Sequence, residues 1–328
     1  MEEAKRARLI VEIQAQSPLA VGDRKPTGRS AEAVGFISGG LIRGALAEMI
    51  LSLYRKHTGS NHLSQCLDEG GQPMDCDFCD LFLREHEAAV FRHAYPLGEH
   101  SVGPFLLPTT AQTCKSKKGF LKSDDRKDSS HGVFDTLIDR LCCEELNVTI
   151  PYAPRCVYCE DDEGRVDSIS GFYSIIQNED GAKRLVDEKV PQRLLTRVAI
   201  NRRRLTAEDE LLYSLSVLSE TVPVDNHASK TGNSASSKEG EGNQEKAMQS
   251  RFVASLDVPA HLAEECENLL SRIRHLGGGL SRGLGKVKIK AHRHPPVSID
   301  EVRKRIITFN TCLTERWSLH ERLPRQSD

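Results

Sequence analysis

Two Cys-x-x-Cys pairs, Cys76-Asp-Phe-Cys79 and Cys156-Val-Tyr-Cys159, stand out in a chain of 328 residues that holds ten cysteines. Two thiolates on one short turn can face a single ion, and tetrahedral zinc asks for four nitrogen or sulfur donors. Cys114 and His131 lie at loop ends in the same cysteine-rich stretch as the second pair, so Cys114, His131, Cys156 and Cys159 form the preferred ligand set. The expected ion is a structural zinc. Two alternatives stay open: a four-cysteine site made from both pairs, and a second site on Cys66, Cys76 and Cys79 with His62 as its fourth donor. Cys142, Cys143, Cys266 and Cys312 read as free buried thiols.

Phosphate binding is the second chemistry. The loop Gly277-Gly-Gly-Leu-Ser-Arg-Gly-Leu-Gly285 holds five glycines, Ser281 and Arg282, and runs into Lys286, Lys288 and Lys290. Backbone without Cβ atoms can approach a polyanion and turn several N–H groups towards it. Register excludes the familiar glycine motifs. A P-loop would need Ser or Thr at Val287 and glycine at Leu280, and the dinucleotide fingerprint would need glycine at Arg282. Gly279-Leu-Ser281-Arg-Gly283 spells G-x-S-x-G, but a nucleophile elbow runs from strand to helix, whereas this loop runs from helix to strand. Tight helix-to-strand packing is the competing reason for the glycines.

Regular elements must position these groups. Leu9, Val11, Ile13 and Ala15 alternate as a strand, and Ile42, Ala45, Leu46, Met49, Ile50 and Leu53 fall at helical spacing behind Ser38 as cap. Residues 194–200 and 211–218 read as two strands, Phe252, Ala254, Leu256 and Val258 as another, and 286–290 as the last. Leu262, Cys266, Leu269, Leu270 and Ile273 mark a second amphipathic helix. A short helix over 135–146 places Leu137, Ile138, Leu141 and Leu146 on one side. The order predicts an α+β, ferredoxin-like (RNA-recognition-motif-like) β-α-β-β-α-β domain, with one of the two middle strands as an extra hairpin arm. Residues 1–60 supply its first half and 191–328 its second, which includes a polar disordered loop at 225–250. Between them, 61–190 form a cysteine-rich insertion held by zinc more than by a core.

Net charge is −2, so no global basic field announces a partner, yet 271–305 carry ten Lys or Arg against Asp300 and Glu301. No apolar run approaches the roughly 20 residues needed to cross a bilayer. The N-terminus runs into a strand without an apolar signal segment, so the thiols are expected in a reducing cytoplasm.

Three segments carry a resemblance. Ser38-Gly-Gly-Leu-Ile-Arg-Gly-Ala-Leu-Ala47 resembles the helix entry of the RAMP superfamily of CRISPR-associated proteins. Arg197-Val-Ala-Ile-Asn-Arg-Arg-Arg-Leu-Thr-Ala207 is similar to its Arg/Asp-rich strand segment, and Leu276–Val287 to its glycine-rich loop. Thr113-Cys-Lys115, His131-Gly-Val-Phe-Asp-Thr-Leu137 and Cys156-x-x-Cys159 look most like the type III-D subunit that caps the 5′ end of the guide. This resemblance implies a non-enzymatic subunit that holds CRISPR RNA, meets target RNA indirectly and serves antiviral defence. Its implied partners are RAMP backbone subunits and a large polymerase-like subunit.

A helix N-terminus offers N–H groups to phosphate. The expected RNA track therefore takes in Gly39, Gly40 and Arg43, then Gly278, Gly279, Ser281, Arg282, Gly283 and Lys286, and finally Arg202, Arg203 and Arg204. The alternative is a metal-independent endoribonuclease. Asp23 is then the residue to watch for target cleavage, and a histidine the general base for repeat processing. No paired acid–base pattern selects either.

Overall fold

Leu9, Val11, Ile13 and Ala15 are all fully buried in the strand Arg6–Ala15, as their alternation requires. This is the computed structural model of the chain, and it describes residues 6–22, 30–31, 33–53, 77–83, 88–121, 130–146, 153–156, 158–159, 164–177, 181, 183–201, 206–223 and 247–320. Two compact units form: Met1–Gly98 with Lys189–His294, and Glu99–Glu188 with Pro295–Asp328.

In the first unit, Arg6–Ala15 lies between Val287–Arg293 and Arg251–Pro259, antiparallel to both. Val90–Phe91 and Tyr95–Pro96 complete the sheet on the far side of Arg251–Pro259. Phe252, Ala254, Leu256, Val258, Val287 and Ile289 bury the same face as Leu9 to Ala15. Two helices close it. Gly39–Leu53 contributes Ile42, Leu46 and Ile50, and Ala263–Arg272 contributes Cys266, Leu269 and Leu270. Each large side chain so buried is worth about 1.5–3 kcal/mol in transfer terms. The first helix starts where Ser38 Oγ accepts the Leu41 N–H at 3.3 Å.

One expectation about this sheet is corrected. Gln192–Asn201 pairs with Thr206–Leu218, which in turn pairs with Ser30–Ala31, so among the described residues neither middle strand joins the central sheet. The edge comes from 90–96, two pieces of two residues each, too short to show an alternation.

The second unit has no comparable apolar cluster among the described residues. Its buried side chains are mostly small, sulfur-bearing or polar: Ala111, Cys114, Cys142, Cys143, Cys156, Thr113, His131 and Thr136, with Phe120 the largest apolar one. Ala111–Cys114 runs between Val133–Asp135 and Val166–Ser168. The helix Leu137–Glu145 buries Cys142 and Cys143 and leaves Leu137 and Leu141 exposed, opposite to the expected face. A second correction follows in the helix Ile299–His320, which is largely exposed and carries Cys312 outward. Its half-buried Leu313 and Trp317 flank Arg316, whose guanidinium lies 3.8 Å from Asp139. No described helix is long and apolar enough to cross a membrane.

Candidate metal centre and nucleic-acid interface

Strand pairing brings the four candidate metal donors together. Thr113 pairs with Val133 and Cys114 with Val166, so the loops that hold Cys114, His131 and the Cys156–Cys159 turn leave one end of the same small sheet. Backbone bonds lace these loops: His131 N–H donates to Lys117 O (3.0 Å), and Cys156 N–H to Gly164 O (2.7 Å). Thr113 Oγ1 donates to the Gly132 carbonyl at 2.9 Å and accepts from Gly119 N–H at 3.0 Å.

His131 Nδ1 then lies 3.2 Å from Cys156 Sγ and 3.6 Å from Cys159 Sγ, and the Cys114 and Cys159 sulfurs are 3.5 Å apart. All four donor atoms fall within 4.8 Å of one another. A tetrahedral ion with Zn–S near 2.3 Å and Zn–N near 2.0 Å separates its ligands by about 3.5–3.8 Å. The set fits such an ion. His131 Nε2 is buried without a hydrogen-bond partner, while Nδ1 is the nitrogen turned to the sulfurs.

Mutual contact and burial shift the two thiols in opposite directions. The hydrogen bond to Cys114, burial and the nearby Cys156 push Cys159 up to about 12. Burial also opposes ionisation of Cys114, but the N–H of Lys117 and the bond to Cys159 hold its thiol below the ordinary value. A bound cation displaces those protons. Of the alternative ligands, Cys79 is buried in the helix Asp77–Phe82, whereas His62, Cys66 and Cys76 lie outside the described residues.

The residues of the expected RNA track have mixed settings. The Gly39 N–H donates to His93 Nδ1 at 3.0 Å, and a Cβ at Gly39 would overlap the Phe91 carbonyl oxygen. Close approach of helix to strand therefore demands glycine there. Gly40 is exposed, and a Cβ there would meet only Ser38 Oγ at 4.0 Å. The Arg43 guanidinium donates to the Phe82 carbonyl (3.1 Å) and sits 5.7 Å from the centre of the Phe82 ring.

The glycine loop is pinned at both ends. Gly278 N–H donates to Ala20 O and Gly285 N–H to Pro18 O, each at 2.9 Å. Gly277 and Gly285 have φ of +90° and +80°, and a Cβ on them would meet the carbonyl oxygens of Ala20 at 2.6 Å and Leu276 at 2.5 Å. Gly279 (φ +73°) and Gly283 (φ +78°) bracket a short 3-10 turn, and the space around Gly283 is open. Ser281, Arg282 and Lys286 are exposed. Arg202, Arg203, Arg204 and Asp23 lie outside the described residues. Arg197, which lies in the second resembling segment and is not among the expected site residues, donates to the Arg282 carbonyl at 3.2 Å.

No protein-family model matches the chain, and no curated protein matches it in sequence. Among solved structures it is similar to a chain of the type III-B Cmr-beta complex bound to cognate target RNA. Identity there is 14% over 87% of this chain and 96% of that one, with a TM-score of 0.38. A chain of a type IV-B CRISPR complex is 16% identical, over 90% of this chain and 98% of that one, at a TM-score of 0.30. For Cmr6 from Pyrococcus furiosus the identity is 9%, over 87% and 99%, at 0.31.

Proposed function

We propose that this chain is a non-enzymatic, RNA-binding subunit of a type III CRISPR effector ribonucleoprotein, with a structural zinc at Cys114, His131, Cys156 and Cys159. It holds CRISPR RNA, at its 5′ handle, largely through phosphates, and it assembles with RAMP backbone subunits and a large polymerase-like subunit. The observation that carries this reading is the bond from Arg197 to the Arg282 carbonyl, which joins two of the three resembling segments at one point. The ferredoxin-like part of the reading is supported by the sheet order, in which the N-terminal strand lies between the last two and the short 90–96 strand forms the edge. Three thiols and one imidazole favour zinc over harder cations, because soft donors select against magnesium or calcium.

Phosphate-dominated binding is salt-dependent and mostly blind to base identity. The test is a titration of guide-length RNA at several salt concentrations. Arg282→Ala and Lys286→Gln should each lower the slope of log affinity against log salt by about one. Unchanged slopes for both would refute the reading. Asp23→Ala should leave guide maturation and target cleavage intact in the assembled complex. Loss of one specific cut with normal assembly would instead make the chain a target-cleaving subunit.

A further inference from the structure

Three rings at the edge of the central sheet belong to neither the metal centre nor the glycine loop. An isolated bridge between Ile37 and Ala94 sets Phe36 beside the strand that carries His93 and Tyr95. The Phe36 ring centre lies 4.9 Å from His93 and 6.0 Å from Tyr95, and the last two are 6.2 Å apart, with planes tilted by 55–66°. Pro96 is buried opposite the core residue Phe252, so its neighbour Tyr95, opposite Val253, turns to the other face, and Phe36 and His93 pack beside the Tyr95 ring.

Cross-strand register carries that face across the sheet. Tyr95 stands opposite Val253, Val253 opposite Glu12, and Glu12 opposite Lys290. Lys288 and His292 alternate in phase with Lys290, and all three are exposed while Val287 and Ile289 are buried. At about 4.8 Å per strand, the backbone distance from Tyr95 to Lys290 is roughly 14 Å. Rings at one edge and cations at the other therefore share one surface, within reach of a short oligonucleotide.

His93 is held for this work. Its Nδ1 accepts the Gly39 N–H at 3.0 Å, which leaves the ring proton on Nε2 as a donor. Gly39 itself packs too close to the Phe91 carbonyl to carry a Cβ. An exposed ring fixed by the backbone loses little entropy when a base stacks on it, and base–aromatic stacking tolerates any base.

We infer that Phe36, His93 and Tyr95 form a base-stacking subsite for single-stranded RNA whose phosphates run towards Lys288 and Lys290 on the same sheet face. This rests on the RNA-binding reading above and adds a second contact of different physical character. Stacking is insensitive to salt, whereas the lysine contacts are not.

The experiment measures binding of the full chain to a fluorescently labelled guide-length RNA, and to the same RNA with abasic sites, at several salt concentrations. Tyr95→Leu and His93→Ala should each weaken binding of normal RNA by about 5–100-fold at an unchanged salt slope. Both should also shrink the gap between normal and abasic RNA. Tyr95→Phe should restore wild-type binding, and matched melting temperatures exclude unfolding as the cause. Phe36→Leu keeps the fold's apolar contact and should lose the same gap. Lys288→Gln with Lys290→Gln should lower the salt slope by about two. If the ring variants bind like wild type and abasic RNA binds equally well, while Arg282→Ala still weakens binding, the subsite is wrong and the RNA reading stands. If wild type itself shows no salt-dependent affinity for RNA, both fall. If a peptide competes for the rings and RNA does not, the subsite belongs to a protein partner and the inference is overturned.

Discussion

The guanidinium of Arg197 donates to the backbone carbonyl of Arg282 across 3.2 Å, which ties the long hairpin to the glycine loop. The bond uses the loop's main chain, so on the proposed RNA-binding reading Arg197 would act through the loop's position. Arg197→Ala should weaken guide-length RNA by more than one phosphate contact removes, and Arg197→Lys should recover the salt slope without recovering full affinity. Lysine restores the charge but not the planar fork. Equal affinities for the lysine variant and wild type would show that only charge matters here.

The metal site predicts coupled losses. The purified protein should hold one equivalent of zinc in the second unit, and Cys159→Ser should weaken zinc by at least about 100-fold, beyond what an outer contact costs. Trp317, the only tryptophan, is half-buried in a helix of that unit, so its emission reports on the unit's melting. Chelation should lower the transition followed by Trp317 well before the transition followed by strand circular dichroism. A metal-free preparation with an unshifted Trp317 transition would refute a structural role.

Two glycines of one loop should respond differently to the same change. Gly283→Ala places a methyl in open space and costs only the left-handed backbone, about 1–2 kcal/mol. Gly285→Ala adds a collision with the Leu276 carbonyl at 2.5 Å and should cost several kcal/mol more than that, near loss of the fold. Urea midpoints for the two variants give the comparison, and equal midpoints would contradict the packing described.

Asp257 sets an acid limit. Hydrogen bonds from Arg8 and then Arg92, against the cost of burial, hold its carboxyl down from 3.8 to about 2. The folded value is below the unfolded one, so the stabilisation is complete above about pH 4 and disappears as pH falls through about 2. Both arginines are half-exposed, so screening leaves about 1 kcal/mol. Asp257→Asn should be less stable than wild type at pH 7 by that amount, with the difference vanishing near pH 2. A difference that persists at pH 2 would point to packing instead of charge.

Strong periodicity made the core legible. Leu9 to Ala15, Phe252 to Val258 and Leu262 to Ile273 are buried as their spacing requires. The clustering of Cys114, His131, Cys156 and Cys159 was legible because few residue types bind zinc and two of the four share a Cys-x-x-Cys turn. The edge strand at 90–96 was not, since its pairing with Arg251–Pro259 joins residues about 160 apart and leaves no local pattern. On Leu137–Glu145, apolar spacing picked the wrong face, because a unit poor in large buried side chains buries thiols instead. The C-terminal helix did leave a signal: Ser298 Oγ accepts the Glu301 N–H at 3.1 Å, and Ile299, Val302, Ile306, Phe309 and Leu313 follow at spacings of three and four. Nothing comparable pointed to His93, whose bond to Gly39 exists only in the folded chain.

The N-terminal strand has both of its neighbours at the other end of the polypeptide, Arg8 lying opposite Asp257 and Ile13 opposite Ile289. On a ribosome adding about 5–20 residues per second, Arg6–Ala15 emerges tens of seconds before either neighbour exists. Throughout that interval an apolar strand with two open edges waits in the nascent chain. The protein should therefore be slow to fold and prone to aggregate when overproduced alone until its last strand is made.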